Sequence, residues 1–107
     1  MSESVVDMLK IGKLYLCKEY YLLLFPDMES AERTGGRSVA AKRSFTHAAS
    51  AEAAYWTEWF KKPVRYCDPD APLLVLSVKK AYYVEVLVGD KRGWIVKLDS
   101  LNIEQIV

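Results

Sequence analysis

Apolar and polar positions alternate with a period of two in two stretches of the C-terminal third, and nowhere else so regularly. Leu74, Leu76 and Val78 alternate with Val75, Ser77 and Lys79, and Val84, Val86 and Val88 alternate with Tyr83, Glu85 and Leu87. That period marks strands buried on one face. Ser77, Lys79 and Glu85 identify the wet side, which places Tyr83 and Leu87 on the outer side of their strand. Gly89-Asp90-Lys91-Arg92-Gly93 follows. With Asp90 opening a type I turn and Gly93 three residues on, this segment predicts a tight hairpin joining Tyr82–Val88 to Gly93–Val96. Leu98-Asp99-Ser100-Leu101 predicts one helical turn, and Asn102–Val107 a last strand.

The earlier part of the chain is less regular. Ser2-Glu3-Ser4 can cap a short helix through Leu9, with Gly12 after it. The Leu- and Tyr-rich run Lys13–Phe25 is longer than an ordinary strand, so a bend or bulge is expected near Lys18-Glu19-Tyr20. Pro26 ends it, because proline cannot donate to a ladder. Asp27 is placed to cap a turn of helix through Glu32, and Gly35-Gly36 to stop it. Residues 33–43 then read as a flexible basic loop carrying Arg33, Arg37, Lys42 and Arg43.

A helical insertion follows over about 44–62, its helix beginning at Ser44 or Thr46. Ala48, Ala49, Ala51, Ala53 and Ala54 favour helix, Thr46 or Ser50 is available as a cap, and Pro63 forbids continuation. Tyr55, Trp56, Trp59 and Phe60 cover one broad side of this amphipathic helix, about 46–62, which should lie against the sheet as core. Pro63–Cys67 reads as a short strand, and Asp68-Pro69-Asp70-Ala71-Pro72 as a stiff turn delivering the chain into Leu73.

The segments Pro72–Val78, Tyr82–Val96 and Leu98–Ile106 together resemble the second half of SH3-like barrels, bacterial ones especially. There a strand, a short loop, a distal hairpin ending in Gly-Trp (here Gly93-Trp94), a helical turn and a closing strand occur in that order. The resemblance implies a mainly β domain with a helical insertion: one SH3-like antiparallel barrel of five to six strands spanning residues 1–107, with an Sm-like barrel as the alternative. It does not extend to a proline-rich peptide groove, because Asp99-Ser100-Leu101-Asn102 stands where peptide-binding members carry Pro and Tyr. The chain as a whole also resembles short proteins of marine cyanobacterial phages, which implies no activity.

At 107 residues and 51% apolar, the chain can bury a core without disulfide or metal. A net charge of +1 argues against bulk electrostatic attraction to nucleic acid, so any such effect must come from local distribution. The acids and serines of Met1–Lys13 do not form a secretion signal, and no stretch approaches the roughly 20 apolar residues of a membrane span, so a cytoplasmic protein is expected. Cys17 and Cys67 are expected to be reduced and partly buried. His47 has no nucleophile placed beside it by the sequence, and no His, Cys and carboxylate set has zinc spacing. No catalytic residue, metal or cofactor is therefore expected. The expected function is a non-enzymatic interaction module, binding a protein partner or a second copy through outward Tyr83 and Leu87 and an incomplete C-terminal edge at Ile103, Ile106 and Val107. Nucleic-acid binding through Arg33, Arg37, Lys42 and Arg43 is the alternative.

Overall fold

The computed structural model describes residues 9–106. Among them are eight strands, β1 (Leu14–Leu16), β2 (Tyr20–Leu24), β3 (Ala40–Lys42), β4 (Arg65–Cys67), β5 (Leu73–Lys79), β6 (Tyr83–Val88), β7 (Lys91–Val96) and β8 (Glu104–Gln105). Two helices accompany them, α1 (Met28–Arg33) and α2 (Thr46–Phe60). The mainly β class with a helical insertion agrees with expectation, but five or six strands is an undercount. The strands form two antiparallel sheets rather than one, ordered β7-β6-β5-β1-β8 and β3-β2-β4.

The extra strands come from the first half. The run Lys13–Phe25 is not one bulged strand. The chain turns at exposed Lys18 and Glu19, leaving β1 in the larger sheet and β2 in the smaller. Part of the expected open loop is also structured. Asp27 caps α1 through its side chain, whose Oδ1 accepts from Ser30 N–H at 2.7 Å, as its position implied. Beyond α1, β3 pairs with β2 in the register Tyr20↔Lys42 to Leu22↔Ala40. The proposed N-terminal helix falls almost wholly on residues 1–8, outside the described residues.

The hairpin is where the pattern placed it, with a different turn. Val88 pairs with Lys91, so the loop is Gly89-Asp90, and Gly89 takes φ +62°. Glycine at the first of two central positions is the arrangement of a type II′ turn, whose twist matches that of the strands. Gly93 lies within β7 instead.

The alternation of β6 holds: Val84, Val86 and Val88 are buried, and Tyr83, Glu85 and Leu87 are half-covered. In β5 it does not. Leu73 and Val75 point inward, not Leu74 and Leu76, because the register jumps between Val75↔Val86 and Ser77↔Glu85. Leu76 is the extra residue of a β-bulge, and beyond it Val78 returns to the core side opposite Val84.

Two apolar cores lie on opposite faces of β2. Leu22 and Leu24 point into the first, with Tyr15, Leu73, Val84, Val86 and Ile95 of the larger sheet. Leu23 and Phe25 point into the second, with Val39, Ala53, Trp56 and Val96. β7 divides in the same way, Ile95 to one core and Val96 to the other. The sheets meet where β2 ends: Phe25 N–H donates to Trp94 C=O and Trp94 N–H to Phe25 C=O, both at 2.8 Å. A Cβ on Gly93 would stand 2.6 Å from Leu24 Cγ and 2.8 Å from Phe25 O. Only glycine lets the two strands approach this closely.

Candidate interaction surfaces

Helix α2 lies over the outer face of the smaller sheet, and its own sequence decides what it buries. Successive residues turn by about 100°, so Ala49, Ala53, Trp56 and Phe60 fall on one stripe, and Tyr55 and Trp59 on another beside it. The first stripe is core. Trp56 and Phe60 stack at 5.3 Å with 16° between their planes, Phe60 meets Phe25 edge-on at 6.3 Å, and Trp56 Nε1–H donates to Ser38 C=O at 3.3 Å. The second stripe is outside, with Tyr55 56% and Trp59 59% exposed. The expectation that all four rings are covered is therefore half corrected. Two stripes of i, i+4 aromatics about 100° apart cannot both face one flat sheet.

The ends of α2 are set by neighbours. Phe45 stands at the N-cap with no side-chain cap bond, so neither Thr46 nor Ser50 takes that position. The first turn closes through Ala48 N–H to Phe45 C=O at 3.0 Å. At the other end Lys61 adopts φ +57°, and Lys62 forms an ion pair with Asp27 at 2.8 Å. Lys62 holds the Asp27 carboxyl below its ordinary value.

The basic residues singled out in the sequence do not line one hollow. Arg33 ends α1 with its guanidinium 5.6 Å from the centre of the Phe60 ring, a cation–π contact. Arg37 lines a hollow of about 240 Å³ with Ser38, Glu52, Tyr55 and Trp56. Lys42 and Arg43 border a different one with Glu19, Tyr20 and Ser44. Arg43 is held by both carboxylate oxygens of Asp70, at 2.9 and 2.8 Å. Tyr83 packs against the second core, and Leu87 is half-buried opposite Leu74 and Arg92.

No family model, curated protein or solved structure matches this chain significantly.

Both thiols are buried in the first core, and burial pushes Cys17 up to about 11 and Cys67 up to about 12. Neither is a thiolate near neutral pH, so neither is poised as a nucleophile. His47 is exposed at the start of α2, on the opposite face of β2 from the core that holds them. Among the described residues no group of three or more His, Cys, Asp or Glu could hold a metal ion. Also among the described residues, no helix is long and apolar enough to cross a membrane.

Proposed function

We propose that this protein is a non-enzymatic interaction module that binds a protein partner or a second copy of itself through the outward flank of α2. The observation that carries this reading is the Tyr55 and Trp59 pair. Both rings lie on a rigid helix, one turn apart, more than half exposed, while their neighbours Trp56 and Phe60 supply the core. Tyrosine and tryptophan are the residues most enriched where interfaces concentrate their energy, because each buries a large area at little cost in rotamer entropy. A cytoplasmic setting, in which both core thiols stay reduced, fits this reading.

We further propose that the larger sheet is an SH3-like barrel with its longest loop expanded into the helical insertion. In support, β8 lies beside β1, β1 beside β5, and β5, β6 and β7 follow as a meander. A turn closed by Leu101 N–H to Leu98 C=O at 3.0 Å precedes the last strand. The helix that an Sm-like barrel would carry before its sheet falls on residues outside those described.

Sedimentation equilibrium across the micromolar to millimolar range tests the self-association form. The natural chain should gain mass with concentration and Y55A/W59A should remain monomeric while still folded, the edge contact of Tyr55 with Trp56 being the main internal contact removed. A natural chain that is monomeric throughout refutes it. Nucleic-acid binding is the second reading, favoured by Arg37 beside the Tyr55 ring. It requires fluorescence anisotropy with a single-stranded oligonucleotide to rise at low salt, fall steeply with added salt, and fall again in R37A/K42A/R43A.

A further inference from the structure

On the other flank of α2 a groove of about 610 Å³ runs between the helix and β4, lined by Ala53, Ala54, Thr57, Tyr66 and Lys91 among others. β4 is the edge of its sheet, and its backbone can be followed group by group. Leu23 N–H donates away from β4, to Val39 C=O at 2.9 Å, so the alternation of an antiparallel ladder turns Leu22 and Leu24 toward β4. Their partners are Cys67 and Arg65. Tyr66, between them, directs its N–H and C=O outward, toward the groove.

The neighbouring outward position is already filled. Val64 N–H donates to Thr57 Oγ1 at 2.8 Å, and Thr57 Oγ1–H donates to Val64 C=O at 3.3 Å. The hydroxyl thus does for Val64 what another strand would do. Among the described residues nothing does so for Tyr66, which makes it the open rung of the edge.

The charges at the rim are unequal. Glu58 is held by Lys61 at 2.7 Å, whereas Arg65 and Lys91 make no ion pair among the described residues and face a single unpaired carboxylate, Asp68. We infer that this groove takes an extended, acidic peptide segment, which adds to β4 by exchanging both main-chain hydrogen bonds with Tyr66 and sets carboxylate side chains against Arg65 and Lys91. Main-chain pairing gives such a complex its register, and the two cations select acidic over neutral or basic segments. The site is separate from the Tyr55 and Trp59 flank and does not depend on it.

Amide NMR titration with a synthetic hexapeptide of alternating Glu and Val, blocked at both ends, tests the proposal. The Tyr66 amide should shift and its hydrogen exchange slow at least tenfold on binding. R65E/K91E should weaken binding at least tenfold, as should a peptide with Lys in place of Glu. A peptide N-methylated at the residue facing Tyr66 should not bind. The same titration on Y55A/W59A should be unchanged, which separates this site from the helix flank. The proposal is overturned if the Tyr66 amide does not respond at millimolar peptide, if the N-methylated or Lys peptide binds equally well, or if the shifts centre on Tyr55 and Trp59.

Discussion

Gly93→Ala puts the junction of the two sheets to the test. The new methyl would lie 2.6 Å from Leu24 Cγ, 3.1 Å from Leu24 Cδ1 and 2.8 Å from Phe25 O, where ordinary contact begins at 3.4 Å. Leu24 is 3% exposed and packed in the first core, so its side chain has nowhere to retreat. Relief must come from moving β2 away from β7 by on the order of half an ångström. That movement strains the two Phe25–Trp94 hydrogen bonds, each worth about 1 kcal/mol net, in addition to an overpacking cost of about 1–3 kcal/mol. The expected loss is about 2–4 kcal/mol in total, read as a lower urea midpoint with an unchanged slope. In thermal unfolding it amounts to a drop of roughly 10–25 °C for a domain of this size.

Gly89→Ala is the control, because nothing lies within 4 Å of its Cβ position and only the positive φ of +62° opposes a side chain. It should cost about 1–2 kcal/mol. Combining Gly93→Ala with Leu24→Ala removes both Leu24 clashes, so the double variant should be less destabilised than the sum of the singles. A loss below about 0.5 kcal/mol for Gly93→Ala, within the range of an ordinary surface change, would refute the close crossing of β2 and β7.

Asp27→Ala should cost about 1 kcal/mol through the lost N-cap, measured by urea unfolding at neutral pH. Because the folded-state carboxyl titrates below its ordinary value, the stabilisation is present above the unfolded-state range near 3.8 and disappears as pH falls through the lower folded value. The gap between natural and variant chains should therefore close in acid; a constant gap would refute the assignment. Cys17 and Cys67 should resist Ellman's reagent in the folded protein at pH 8 and react fully in guanidinium; rapid reaction of either in the native state would contradict its burial. Since both are raised, the unfolded chain ionises first as pH climbs above about 9, and stability should decline between there and about 11–12. Phe25→Ala, at a side chain with no exposure that touches both Phe60 and the sheet junction, should cost about 3–5 kcal/mol; a loss under 1 kcal/mol would mean the second core is not packed as described.

What was legible beforehand is what local chemistry dictates. The inward valines of β6, the position of the hairpin, the Asp27 cap and an alanine-rich helix ahead of Pro63 each depend on a period or a residue within one element, though the helix stops at Phe60, with Lys61 left-handed, two residues short of the expected end. The sequence also marked Tyr55, Trp56, Trp59 and Phe60 as a group, though the split into a core pair and an exposed pair was available from their angular spacing alone.

Other features were settled only by elements remote in the chain. The inward face of β5 depends on a bulge at Leu76, which its pairing with β6 defines, and the division of Lys13–Phe25 depends on β1 and β2 finding partners in different sheets. Gly93 is required by Leu24 and Phe25, nearly seventy residues earlier, and not by the turn beside it. The open rung at Tyr66 exists because β4 has a strand, β2, on one side only, and Thr57 reaches Val64 but not Tyr66. Steric limits and hydrogen-bond pairing act between atoms that meet in space, so no reading of neighbours along the chain could supply them.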